Sequence, residues 1–310
     1  MNPNQPLVCI GVPVYNGEDK IESAVHSLLN QTYTNIRVVI SDNASTDRTR
    51  GICERLGAED PRVHYLRQPV NLGPSSNFLT VLDHARSEYF MWLGHDDWLS
   101  ESYIEECVRT LSENLDVSLA CGQAIYYQDG KELFRGVAVQ LTQERPRDRV
   151  VAYYSMVADN GTFYGLMRRN QLVMVKLRNV MGGDWLTIAS MAFLGKVVTL
   201  PSISVNRALG GSTVSYEKIA SRLGLSRFQT LFPHLAVASC AFQDIAWRDP
   251  IYSLPRRARV LLAWDCQRTI RLRHDSSVVG ILRRCLNLGK EYGRRLIESA
   301  RGIPDRERDP

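Results

Sequence analysis

Asp96 and Asp97 stand side by side directly after the apolar run 89–93 and the pair Gly94-His95. Two like charges at the end of a buried strand repel each other. They are tolerated when solvated in a polar turn that caps the next helix, or when a hard cation neutralises them. Mg²⁺ or Mn²⁺ takes oxygen ligands and is commonly shared with substrate phosphates, so such an ion would offset the charge that grows on a departing diphosphate. Asp42 closes a second apolar run, 36–40. Its carboxylate suits either a base N–H or an Asx turn. Asp184 follows Gly182-Gly183 just ahead of a helical pattern. There a carboxylate serves as general base toward an acceptor hydroxyl or as a simple helix cap, and two glycines permit close approach of backbone and ligand. Pro13, Tyr15 and Asn16 follow the first apolar run, where backbone groups or a ring meet a nucleobase. No G-x-G-x-x-G follows that run, which argues against a dinucleotide site, and no G-x-x-x-x-G-K-[ST] exists, which excludes a P-loop.

These groups need a scaffold. Residues 7–14 are apolar without polar alternation, the pattern of a strand buried on both faces. Ile21, Ala24, Val25, Leu28 and Leu29 then form one helical stripe. Strands are expected at 36–40, 63–66 and 89–93, and helices at 48–56, 74–85 and from an N-cap at Ser100 through Leu111. Strand and helix thus alternate four times in about 110 residues, the sign of a doubly wound sheet, whose ligands bind beyond the C-terminal strand ends. Beyond 117 the pattern predicts strands at 119–127, 163–167, 197–200 and 203–205 and a helix at 185–194. After Ser215 it is helical and broken by Pro233, Pro250 and Pro255. The expected organisation is a catalytic domain over 1–215 and a helical region over 216–310.

The order and spacing of these motifs resemble the family 2 glycosyltransferases of GT-A fold. Val12-Pro13-Val14-Tyr15-Asn16-Gly17-Glu18 is similar to their opening strand, and Ile40-Ser41-Asp42 to their base-binding strand end. Asn71-Leu72-Gly73 through Asn77 resembles their Asn-x-Gly loop and helix, and His95-Asp96-Asp97-Trp98 their aspartate motif. The resemblance implies a GT-A type, mostly parallel sheet and an inverting transfer from a UDP- or dTDP-linked sugar to a glycan or lipid-linked acceptor. It places Pro13, Tyr15, Asn16 and Glu18 around base and ribose, Asp42 on the base and Asn77 on the nucleotide side. Asp96 would lie by the ribose or metal, Asp97 would be a metal ligand, and Asp184 would be the base. Segment 160–165 is similar to the acceptor side. The chain departs from the pattern at Gly94, Gly183 and Leu209, where the family often has two acidic residues and a histidine. Those departures keep a second reading open, a degenerate domain that binds nucleotide without turnover. A nucleotidyltransferase is disfavoured by the acidic, glycine-poor segment after the first strand.

Composition sets the remaining bounds. The 310 residues are 44% hydrophobic with a net charge of +5. Residues 216–310 hold 18 Lys/Arg against 10 Asp/Glu. That basic tail fits a solvated arginine face, packing on the core or on a second copy in a homo-oligomer, or peripheral contact with an anionic membrane. It lacks the interleaved aromatics of a nucleic-acid binder. Seven scattered cysteines without a C-x-x-C pair indicate a reducing compartment, and no run of about 18 apolar residues crosses a bilayer, so the expectation is cytoplasmic.

Overall fold

The computed structural model describes residues 5–209 and 216–274. The last stretch of the expected helical region, 275–310, and residues 210–215 lie outside the described residues. The first half alternates as expected: β1 (Val8–Val14), α1 (Ile21–Leu29), β2 (Ile36–Asp42), α2 (Thr49–Glu59), β3 (Val63–Arg67), α3 (Pro74–His84) and β4 (Tyr89–Trp92). A two-residue strand β5 (Trp98–Leu99) precedes α4 (Tyr103–Glu113). Then come β6 (Val117–Gln128), β7 (Lys131–Arg135), α5 (Pro146–Met156), a 3-10 turn (Gly161–Tyr164), β8 (Leu166–Arg168), α6 (Arg169–Leu172), α7 (Gly183–Leu194) and β9 (Lys196–Ala208). Helices α8 (Tyr216–Leu223), α9 (Arg227–Leu231), α10 (Pro233–Gln243) and α11 (Arg256–Arg273) follow.

Among the described residues the strands form one sheet in the order β3-β2-β1-β4-β8-β6-β9-β5, with β7 beside β6. β1 pairs in parallel with β2 and β4. β8 is antiparallel to both β4 and β6, so β6 and its parallel neighbour β9 run in the same direction as β4. The C-terminal ends of β1, β2, β4, β6 and β9 therefore share one edge. Every residue of β1 is buried, because helices cover both faces. At Gly11 a Cβ would fall 2.5 Å from Val81 Cγ2, so α3 packs straight onto the strand.

Several expectations shift in detail. The strands foreseen at 197–200 and 203–205 are one strand, β9, whose register slips against Gly122 and Gln123. Ser100 does not cap α4, which begins after Ser102. Its hydroxyl instead accepts from the Ser204 N–H at 3.0 Å and helps seat β5 on β9. Segment 163–167 is divided between the 3-10 turn and β8. Leu262, Ala263, Cys266 and Ile270 of α11 are buried in the same apolar cluster as the sheet. The inner face of that helix thus packs on the core, as one reading of the tail had it.

Candidate active site

The site is built where the shared strand edge meets the N-terminus of α7. Trp92 at the end of β4 donates from Nε1 to Phe78 O at 3.0 Å and stacks on Phe163, ring centroids 4.7 Å apart. That stack fixes the 3-10 turn, and with it Asn160 and Tyr164, beside the aspartate pair. Arg207 near the end of β9 is the hub. Its Nε donates to Asp97 Oδ2 at 2.7 Å and one terminal nitrogen to Asn160 Oδ1 at 2.8 Å. The other donates to Tyr164 Oη at 3.2 Å, and the guanidinium carbon lies 4.0 Å from the Tyr164 ring centre. Burial opposes the Arg207 charge, but Asp97 and the neighbouring tyrosines more than offset it.

Asp97 is 1% exposed. Its second oxygen, Oδ1, accepts from the Ala208 N–H at 3.1 Å. Burial pushes its carboxyl up to about 6, with Arg207 pulling the other way and Asp96 adding to the rise. Asp96 is half-buried and makes no hydrogen bond or ion pair with a described residue. Gly94 explains how the two coexist: a Cβ there would lie 2.5 Å from Asp97 Oδ2 and 3.0 Å from Asp96 Oδ1. The missing third carboxylate leaves room for Asp97 to turn back onto Arg207.

Asp184 is half-buried in the first turn of α7, and its Oδ1 accepts from the Trp185 N–H at 2.9 Å. The cap position itself is Gly182, at φ 70°, where a side chain is strained. The two glycines serve internal packing, since a Cβ on Gly182 would meet Val237 at 2.5 Å and one on Gly183 the Arg178 carbonyl at 2.3 Å. Burial raises the Asp184 carboxyl, while backbone N–H groups, Arg207 and the Asn160 side chain lower it. Asp96, Asp97 and Asp184 all act electrostatically on Tyr164. Three acidic groups, two from the turn after β4 and one from α7, thus act on one arginine and one tyrosine.

The residues expected around a nucleotide lie across β1. Tyr15 is 44% exposed just past the strand, and Pro13 is buried within it. Asn16, at φ 50°, accepts from the Thr46 N–H at 2.9 Å, and its own N–H donates to Ser45 Oγ. Glu18 accepts from the Arg48 N–H at 2.8 Å and from its Nε at 3.0 Å. Both side chains lock the loop after β1 to the loop after β2. Asp42 is fully buried and takes hydrogen bonds from Tyr65 Oη, Arg67 and the Ser45 N–H, all within 2.8 Å. Asn77 is 3% exposed and donates to the carbonyls of Val14 and Ser41. It ties β1 to β2, and its Oδ1 has no partner. Losing the clamp should cost about 2 kcal/mol, discounted by the orphaned acceptor removed with it. Urea unfolding of Asn77→Ala measures this, and a midpoint equal to the parent's would show that the clamp carries nothing.

His95 bridges the two sides. A Cβ on Gly17 would fall 2.6 Å from the His95 ring, so the ring seats against the loop after β1. Burial lowers its pKa, and Asp96 opposes that. Sequence reasoning missed His95, Tyr65, Arg67 and the hub role of Arg207. The available signal for Arg207 was an arginine directly after the apolar positions 203 and 205, with a carboxylate pair to balance.

A divalent ion has a restricted donor set here. Among the described residues no three His, Cys, Asp or Glu side chains group to hold one. Asp97 has both oxygens engaged, and the Arg207 charge at 2.7 Å repels a second cation. Asp96 keeps its oxygens open. The residues suit an ion shared with a phosphate ligand, with one carboxylate from the protein.

The fold and this strand-edge site define a GT-A type protein. The structure is similar to Staphylococcus aureus TarS 1-349 in complex with UDP, at TM-score 0.55 and 14% identity over 87% of this chain and 92% of that one. It is also similar to a Pyrobaculum calidifontis mannosyltransferase in complex with GDP-Man and Mn²⁺, at TM-score 0.51 and 17% identity over 95% and 81%. The sequence pattern of glycosyl transferase family 2 matches residues 9–170, and the chain belongs to that family. An uncharacterized glycosyltransferase of Rickettsia typhi is 33% identical over 43% of this chain and 41% of its own length. The putative glycosyltransferase EpsH of Bacillus subtilis is 31% identical over 47% and 42%. The chain spans about two fifths of these relatives.

Proposed function

We propose that the protein transfers a sugar from a nucleoside diphosphate sugar, UDP- or dTDP-linked, to an acceptor hydroxyl with inversion, in the assembly of a polysaccharide, glycan or glycolipid. The observation that carries this reading is Asp97 held on Arg207 at 2.7 Å at the C-terminal strand edge, with Asp96 next to it and the Asp184 carboxylate of α7 acting electrostatically on Arg207 and Tyr164. The TarS and mannosyltransferase complexes, with UDP and with GDP-Man and Mn²⁺, support the substrate class. Tyr15 offers an exposed ring to the base, while Asp42, Asn77, Asn16 and Glu18 hold the loops that shape the base pocket. Asp184 takes the acceptor proton as that oxygen attacks the anomeric carbon; the bond to the diphosphate breaks, and the electron pair leaves with it. One such displacement inverts the centre. Mg²⁺ or Mn²⁺, when bound, supplies positive charge to the diphosphate. Asp96 would hold it, in place of the Asp97 ligation expected from the motif. Asp97 instead keeps Arg207 fixed.

Two measurements test this. A nucleotide-sugar panel read by thermal shift identifies the donor, since a ligand at 100 times its Kd stabilises by about 2.7 kcal/mol. Product analysis with the best donor then reads transfer and anomeric configuration, and retention or the absence of any turnover would refute the proposal. For the metal, Asp96→Ala should abolish the Mn²⁺-dependent part of UDP binding in calorimetry while the metal-free part survives. Unchanged Mn²⁺ dependence would remove Asp96 from that role.

A further inference from the structure

We propose that the outer face of α11, with the turn before it, docks on an anionic lipid surface. Leu261, Trp264 and Leu272 are 57%, 56% and 73% exposed. With Arg257 and Arg268 they recur at three- and four-residue steps along α11 and form one outward stripe, while Leu262, Ala263, Cys266 and Ile270 face the core. Trp247, 60% exposed in the π turn (Asp244–Arg248), joins the stripe through Phe242, whose ring meets Trp247 at 5.3 Å and Trp264 at 5.2 Å. Two indoles more than half in water are an expensive way to finish a monomer surface, and amphipathic indoles settle at the level of lipid headgroups.

Charge selects the occupant. Arg248, Arg256, Arg257 and Arg268 make no ion pair or hydrogen bond with a described residue. Segment 243–274 has three carboxylates, and none forms an ion pair with these arginines; Asp244 acts on Arg248 only beyond ion-pair distance. Asp244 is buried on Arg178, Asp249 is 3% exposed, and Asp265 pairs with Arg147. The patch is therefore apolar at its centre and positive at its rim. A second copy docked face to face would bring like charges together, whereas a layer of anionic headgroups neutralises them and takes up the indoles. Among the described residues no helix is long and apolar enough to cross a bilayer, so the contact lies on the surface.

The test is sedimentation of the full chain with vesicles of phosphatidylcholine alone and of phosphatidylcholine mixed with phosphatidylglycerol. The wild type should pellet with the anionic vesicles only. Arg257→Gln with Arg268→Gln should weaken that partitioning roughly 30-fold, at about tenfold per 1.4 kcal/mol and about 1 kcal/mol per charge. Trp247→Ser with Trp264→Ser should reduce it further and remove the fluorescence blue shift on binding. Circular dichroism melts confirm that both variants fold. Equal binding to neutral vesicles, no binding to either, or a concentration-dependent dimer that the tryptophan variant abolishes would each overturn the proposal. The readout does not depend on transferase activity, so it stands or falls separately from the proposed reaction.

Discussion

Asp184→Asn is expected to bind nucleotide like the parent and to lose transfer roughly 10²–10⁴-fold in kcat, the usual contribution of a positioned general base. The amide keeps the shape and the hydrogen bond from the Trp185 N–H, so α7 should keep its start. What it loses is the capacity to take a proton. The pH profile gives an independent reading. Burial raises the Asp184 carboxyl above the ordinary aspartate value of 3.8, with the Trp185 N–H, Arg207 and Asn160 opposing. Base catalysis needs the ionised form, so activity should be present above the raised pKa and fall as pH drops through it. The acid limb of kcat/KM should lie higher than an exposed aspartate would place it, and it should vanish in the variant. Steady-state transfer assays across pH decide the matter. Undiminished turnover by Asp184→Asn would take this residue out of the chemistry.

The second large effect falls on stability. Arg207→Met should cost about 3–5 kcal/mol, because it leaves the Asp97 carboxylate buried and unpaired. It also removes the donors that Asn160 and Tyr164 accept from. At the usual size scaling this lowers Tm by roughly 5–8 °C. The physical reason is asymmetric. Two charges removed from water are costly, and each is tolerable because the other is 2.7 Å away. Arg207→Met combined with Asp97→Leu removes both charges and should recover much of the loss, although the Ala208 N–H then lacks its acceptor. Calorimetric melts of the parent, the single and the double variant test this. A double variant no more stable than the single would show that the pair is not the source of the cost.

The departures from the family pattern also acquire a physical meaning. Gly94 is a space requirement, since a side chain there would collide with Asp97 Oδ2. Leu209, where a histidine was looked for, is partly buried against the core, and its N–H donates to the Tyr127 carbonyl at 2.7 Å. A site with one free carboxylate would need substrate oxygens to complete the coordination of any ion held there. For that reason the Asp96 calorimetry and the Asp184 kinetics probe separable parts of the reaction.

The sequence alone determined the alternation of buried strands and amphipathic helices through residue 92, because period-two and period-3.6 burial are local properties of the chain. It also determined that carboxylates stand at the ends of β2 and β4 and at the start of α7. Partnership was decided only in three dimensions. Asp97 and Arg207 are 110 residues apart, and Asp42 meets Tyr65 and Arg67 only because β2 pairs with β3. Which carboxylate stays open to a ligand and which is consumed by an internal cation depends on the register of β9 against β6 and on the packing of Trp92 on Phe163. Those contacts are set by long-range packing, which no local periodicity encodes.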